Sequence, residues 1–214
     1  MTLRRTLTEG GRAFGLELSD EQVDAFLFYL VELEKWNRKI NLTAIRDEKD
    51  VVIKHFLDSF SYLRGFEPSP GTKLLDMGSG AGFPALPLKI AVPSLAVTMV
   101  ESIHKKAAFL RHMVRMLRLT VAEVVDKRTD GLPNSYEGQF DVVTARAFAE
   151  MATALREGVR FLKPGGVVVL SRGPGEEVAD AVLTSLDLAG EARTELVLPF
   201  SEHRRAIWVF RKSG

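Results

Sequence analysis

The chain has 214 residues, 46% of them hydrophobic and 27% charged, a length that suits one sizeable domain whose core needs no disulfide or metal staple. It contains no cysteine, which excludes a disulfide scaffold, a thiolate zinc site, an iron–sulfur cluster and a cysteine nucleophile, and which fits a reducing cytoplasm. The 29 lysines and arginines nearly balance 28 aspartates and glutamates, so a strongly basic coat is absent and any nucleic-acid contact must come from local clusters.

Arg4 and Arg5 have no apolar stretch behind them, so no secretory signal is expected, and no run approaches the ~20 apolar residues of a membrane-spanning helix. Ser19 and Gln22 have the spacing of a capping box, with Leu18 and Val23 placed as its hydrophobic staple. Val23, Phe26, Leu27 and Leu30 then recur at helical spacing, and Leu33 and Trp36 extend that stripe. A polar connection over 37–43 leads to a second helix, expected from about Lys49 to Ser61. Glu67-Pro68-Ser69-Pro70-Gly71 is a strong breaker, dividing an N-terminal helical extension (1–66) from a second unit (67–214), the two packed together.

Beyond the breaker, short apolar runs alternate with helical patterns. Lys73–Met77, Ala96–Glu101, Val121–Val125, Phe140–Thr144 and Val167–Leu170 read as buried strands; Pro84–Ala91, Lys105–Leu117 and Phe148–Leu162 read as helices. Such alternation implies an α/β fold with a mostly parallel sheet covered on both faces. Thr194–Leu198 and Ala206–Phe210 are separated only by a loop, as an antiparallel pair at one edge would be.

The stretch Asp76-Met77-Gly78-Ser79-Gly80-Ala81-Gly82-Phe83-Pro84 follows a strand and opens a helix, where glycines admit a ligand close to the backbone and the helix start offers free N–H groups. A Walker loop is excluded because no Gly-Lys-Ser/Thr follows, and the dinucleotide pattern fails because Phe83 stands where its third glycine belongs. Asp76, two residues before the first glycine, suits the ammonium of a zwitterionic ligand better than a pyrophosphate. Glu101, 19 residues past Gly82 at the end of the next strand, is placed to accept both hydroxyls of a ribose. Adenosine joined to an amino-acid group would satisfy both, which describes S-adenosylmethionine.

These residues resemble the class I S-adenosylmethionine-dependent methyltransferases, whose first motif is an acid followed by alternating glycines; Leu162-Lys163-Pro164-Gly165-Gly166 resembles a second element of that fold. The resemblance implies a Rossmann-like seven-stranded sheet and S-adenosylhomocysteine as product. C5 methylation of a pyrimidine ordinarily needs a cysteine nucleophile, and the motif common in exocyclic-amine methyltransferases is replaced by Thr144-Ala145-Arg146-Ala147-Phe148. A ring nitrogen such as guanine N7 already has an in-plane lone pair and needs alignment, not a base. Trp36-Asn37 with Asn41-Leu42-Thr43, His55-Phe56-Leu57-Asp58-Ser59, the glycine loop, Lys105-Lys106 with Phe109-Leu110, and Arg146-Ala147-Phe148 together resemble one family. It is the bacterial 16S rRNA (guanine-527 N7) methyltransferase family, also called glucose-inhibited division protein B. This resemblance implies cofactor contacts at Gly78, Phe83, Glu101, Thr129, Asp130 and Arg146, and it makes Arg146 the catalytic candidate, aligning the base or the cofactor carboxylate. Asp76, Gly80 and Gly82 complete the expected cofactor set. Thr129 and Asp130 depart from the small residue and glutamate common in the family, and Ser171-Arg172-Gly173 replaces its Leu-Lys-Gly.

The expected partner is 16S rRNA or the small ribosomal subunit, met by a monomer with no membrane attachment and no metal. Lys105, Lys106, Arg111, Arg115 and Arg118 fall in a span from 102 to 122 with no acidic residue, and the last three share a face of one helix. They bind phosphate or form a solvated face over a core stripe of Phe109, Leu110, Met113 and Leu117. Arg172 and Phe148 are further RNA-facing candidates, Phe148 either as a platform for guanine or as packing beneath the fifth strand. Asp58 either faces the substrate or anchors the N-terminal helices, the second being favoured. His55, His104, His112 and His203 show no metal-ligand spacing. Rival readings are a methyltransferase for a small molecule or protein, a non-catalytic ribosome-binding module, and a nicotinamide oxidoreductase disfavoured by Phe83.

Overall fold

The computed structural model describes residues 1–146, 148, 150–173 and 179–214. Seven strands form one sheet in the order β3-β2-β1-β4-β5-β7-β6. They are β1 (Lys73–Met77), β2 (Ala96–Val100), β3 (Ala122–Val125), β4 (Phe140–Arg146), β5 (Leu162–Arg172), β6 (Leu188–Val197) and β7 (Arg204–Lys212). The first five pair in parallel, while β7 runs antiparallel to both β5 and β6. This is the doubly wound architecture with an antiparallel edge pair that the sequence implied.

Three helical runs precede the sheet: α1 (Leu3–Arg12), α2 (Asp20–Ile40) and α3, a continuous run over 48–64. The capping box of α2 forms in both directions, Ser19 Oγ accepting from Gln22 N at 3.3 Å and Ser19 N donating to Gln22 Oε1 at 2.8 Å. The same Gln22 amide donates to the carbonyls of Ile90 and Ala91, so the cap also docks α2 on α4 (Ala85–Ala91). Asn41 ends α2 in the left-handed conformation at φ 50°. Within α3, Val52–Leu57 is π-helical, which inserts one residue into the turn and rotates the following residues; such turns concentrate at functional sites. The remaining helices are α5 (His104–Met116), α6 (Met151–Gly158) and α7 (Asp180–Ser185).

Several expectations change. Helix α1 has no clear signal in the sequence, because Leu3 and Leu7 alone, followed by Gly10 and Gly11, are too sparse a stripe. The helix expected over Phe148–Leu162 shrinks to α6 and a 3₁₀ turn at Val159–Phe161, and Ala147 and Ala149 lie outside the described residues. The Lys163-Pro164-Gly165-Gly166 turn is absorbed into β5, whose register against β4 shifts between Phe140 and Val142. One buried cluster contains Leu7, Phe26, Phe56 and Phe60 of the N-terminal helices together with Leu74, Val97, Val142 and Val169 of the sheet. A second fills the other face, around Leu75, Met77, Val143, Leu155, Val168 and Trp208.

Candidate active site

Strand order reverses beside β1, which makes the carboxyl edge of β1 and β4 the crevice where ligands bind in open α/β sheets. The residues singled out from sequence are set along that edge: the glycine loop after β1, Glu101 after β2, Thr129 after β3, Arg146 at the end of β4 and Arg172 at the end of β5. Gly78, Gly80 and Gly82 all take positive φ, at 66°, 57° and 99°. A Cβ at Gly78 would come within 2.7 Å of the Phe148 ring, and one at Gly82 within 2.7 Å of the Tyr29 hydroxyl, so neighbours as well as backbone demand glycine there.

Asp76 is fully buried. The β1–β4 register sets Thr144 opposite it, and Thr144 Oγ1 donates to Asp76 Oδ1 at 2.8 Å. Asp76 Oδ2 has no hydrogen-bond partner. Burial pushes this carboxyl up to about 7, against the opposing pull of Ser79, Thr144 and Arg146. Glu101, also buried, accepts from Gly80 N at 2.8 Å and from Ile103 N at 2.7 Å, so it fastens the glycine loop to the start of α5 while each oxygen keeps lone-pair capacity.

Arg146 is held from below. Its Nη2 lies 2.9 Å from Asp58 Oδ2 and donates to the Lys54 carbonyl at 2.6 Å, its Cζ stands 5.6 Å from the Phe83 ring centre, and Nη1 is buried without a partner. Asp58 thus ties α3 to the strand residues Arg146 and Arg205, where the sequence reading has it anchor the N-terminal helices to the glycine loop. Phe83 itself is buried, stacked on His55 at 4.4 Å and on Tyr29 at 5.6 Å, so its ring fixes the loop against the N-terminal helices. Tyr29 adds a hydroxyl bond to the Ala81 carbonyl, and Tyr62 one to the Ala145 carbonyl at 3.1 Å. His55 Nε2 pairs with Thr43 Oγ1 at 2.7 Å; burial and then Arg146 hold the imidazole down to about 3, so it is neutral at physiological pH.

Gly78, Thr129, Asp130 and Phe148 meet around one cavity of about 310 Å³, together with Ser102 and Glu157. Thr129 is buried and its carbonyl accepts from Arg160 at 2.7 Å, whereas Asp130 is exposed beside Arg128. Phe148 lines this cavity against Gly78. A larger cavity of about 530 Å³ lies at the opposite, amino edge of the strands, by Lys73, Ala96 and Ala122, and touches none of the expected site residues.

The basic candidates are dispersed. Lys105 and Arg115 are exposed on α5, Lys106 is half-buried, and Arg111 shares Asp126 with His104 at 3.3 and 2.5 Å. Arg118 does not share their face: α5 stops at Met116, and Arg118 turns to φ 50° near Glu21 and Gln22. Arg172 is half-buried at the end of β5, in register with Ala206. Among the described residues no group of three or more His, Asp or Glu side chains is arranged to hold a metal ion.

The family profile "GidB: rRNA small subunit methyltransferase G" matches residues 22–195 of this fold. The chain belongs to that family. A GidB-family relative, ribosomal RNA small subunit methyltransferase G of Geobacter metallireducens, is 40% identical over 97% of this chain and 96% of its own length. Another of that name, from Chloroflexus aggregans, is 44% identical over 87% of this chain and 80% of its own. The fold recurs in a SAM-dependent methyltransferase from Aquifex aeolicus (TM-score 0.56, 17% identity, 75% of this chain and 92% of that one). It also recurs in phosphoethanolamine N-methyltransferase 2 of Haemonchus contortus (TM-score 0.59, 14% identity, 73% and 52%).

Four residues that hold the site together in this GidB-family chain, Thr144, Tyr29, Lys54 and Arg205, are not among the site candidates read from the sequence. Thr144 is nonetheless findable, since aligning the two apolar strands places it opposite Asp76. The others act from helices and a distant strand, and no linear spacing marks them.

Proposed function

We propose that the protein transfers the methyl group of S-adenosylmethionine to N7 of a guanine in 16S rRNA, on the small ribosomal subunit or its RNA, in the cytoplasm. The observation that carries the cofactor is that the buried side-chain atoms without partners include an acceptor, Asp76 Oδ2, and a donor, Arg146 Nη1, whose charge acts on Asp76. Buried polar atoms are seldom left unpaired, and an α-amino acid group would satisfy both at once, its ammonium at Asp76 and its carboxylate at Arg146. Glu101 has lone pairs left for ribose hydroxyls, and the cavity between Gly78 and Thr129 takes the rest of the nucleoside. The acceptor follows from the family, and Phe148, on the wall of that same cavity, is within reach of the cofactor's nucleoside.

When bound, S-adenosylmethionine supplies an electrophilic methyl on a sulfonium. Guanine N7 attacks with its in-plane lone pair, the carbon–sulfur bond breaks, S-adenosylhomocysteine leaves, and the positive charge passes to the guanine. No proton moves, so the work of the chain is alignment, exclusion of water and support of the charges at either end. The neutral His55 is in keeping with that economy.

Incubation of labelled cofactor with 16S rRNA and with small subunits, followed by mapping of the label, tests the reading. Label at a single guanine N7 is expected, with kcat/KM for the cofactor lowered about 10–100-fold in a folded Arg146→Ala variant, the loss of one charged hydrogen bond. Cofactor binding without label on any RNA would transfer the assignment to a small-molecule or protein acceptor.

A further inference from the structure

Asp58 is 1% exposed, and a carboxylate so enclosed is tolerated only where other charges and hydrogen bonds replace water. Its two oxygens are divided between two guanidinium groups: Arg205 Nε donates to Oδ1 at 2.8 Å, and Arg146 Nη2 lies 2.9 Å from Oδ2. One helical turn earlier, the Lys54 carbonyl in the π-helical turn accepts from the same Nη2 at 2.6 Å. Two acceptors on one nitrogen, with the Phe83 ring 5.6 Å from Cζ, fix the plane of a rigid fork. Once that plane is fixed, so is the direction of Nη1, the buried nitrogen left without a partner. Two guanidinium groups around one carboxylate also leave the cluster one positive charge in excess, which an anionic group at Nη1 would balance.

We infer that Asp58 is a positioning residue for Arg146: it orients the guanidinium so that Nη1 receives the carboxylate of the cofactor, while Arg205 holds the other oxygen of Asp58 in place. This rests on the reading of Arg146 given above. Helix α3 is by this account part of the cofactor site, although none of its side chains need touch the ligand. The alternative, that Asp58 merely ties α3 to the sheet, makes different predictions for ligands with and without the amino-acid group.

The test compares S-adenosylhomocysteine with 5′-methylthioadenosine, which lacks both carboxylate and ammonium, by calorimetry on the whole chain. In Asp58→Asn, affinity for S-adenosylhomocysteine is expected to fall about 10–100-fold with 5′-methylthioadenosine little changed. In an Arg146→Ala background, Asp58→Asn should cause no further loss. Equal weakening of both ligands, or no change in S-adenosylhomocysteine affinity, would overturn the inference. Wild-type protein that binds neither ligand would instead remove the cofactor reading, and this role with it. Should Asp58→Asn fail to fold, guanidinium nitrogen NMR of the wild type decides the matter. Resolved Arg146 Nη signals without ligand, with Nη1 shifting on S-adenosylhomocysteine but not on 5′-methylthioadenosine, are expected; an averaged, freely rotating guanidinium overturns the proposal.

Discussion

Enclosure pushes the Asp76 carboxyl up to about 7, and this links its charge both to stability and to ligand binding. Between its ordinary value of 3.8 and about 7, the folded chain keeps a proton that the unfolded chain has lost. Raising the pH through that window therefore removes stability from the ligand-free protein. Buried neutral His55, held down to about 3 from 6.5, works in the opposite sense below pH 6.5, so the Asp76 contribution stands alone above it. The melting temperature without ligand should fall between pH 6.5 and pH 7.5, and that fall should vanish in Asp76→Asn. Ligand binding runs the other way, since an ammonium needs the carboxylate ionised. Affinity for S-adenosylhomocysteine should rise between pH 6 and 7.5 in calorimetry with release of a proton, and a flat profile would count against contact between Asp76 and the ammonium. At this scale the sequence is legible where chemistry is local: Asp76, Gly78, Gly80 and Gly82 announce themselves by spacing. It is illegible where the chain closes on itself, as in the bond from Thr144 to Asp76 across 68 residues and that from Arg205 to Asp58 across 147.

Among the elements, the strands are legible because burial on both faces makes each a short apolar run, and β1 matches its expected limits of Lys73–Met77. Helix ends are less so. The expected face of Arg111, Arg115 and Arg118 assumes that α5 runs two residues further than it does, since nothing in Leu117-Arg118-Leu119 marks a stop. The π-helical turn in α3 has no pattern in sequence either, as it answers to the bonding of Lys54, His55 and Asp58 below the sheet edge. With Arg111 engaged by Asp126 and Arg118 turned away, Lys105 and Arg115 are the exposed cations left on α5. If that helix meets phosphate, the Lys105→Ala/Arg115→Ala pair should raise KM for rRNA several-fold and leave kcat unchanged. It should also flatten the dependence of log affinity on log salt by about one to two units, because each cation removed no longer displaces a counterion from the RNA. An unchanged slope in filter binding would assign this face to solvent.

At the scale of the whole molecule, the N-terminal helices are joined to the sheet by too much to act as a detachable appendage. Phe83 of the glycine loop stacks on Tyr29 and His55, and Tyr29 packs on Phe56 at 5.2 Å. Gly65 sits so close to the sheet that a Cβ there would lie 2.6 Å from Val169. Removing residues 1–66 would uncover the apolar face made by Leu74, Val97, Val142 and Val169, and would leave Arg205 and Arg146 without Asp58, and Ala81 and Ala145 without the hydroxyls of Tyr29 and Tyr62. Leaving an aliphatic side chain in water instead of burying it costs about 1.5–3 kcal/mol, so exposing Leu74, Val97, Val142 and Val169 alone costs an amount comparable to the roughly 5–15 kcal/mol by which a domain is stable. A chain starting at residue 67 is therefore expected to bind a hydrophobic dye, to show no cooperative thermal transition and not to bind S-adenosylhomocysteine. A sharp transition together with retained binding would show instead that the sheet carries the cofactor site alone, and that the helices serve only the acceptor.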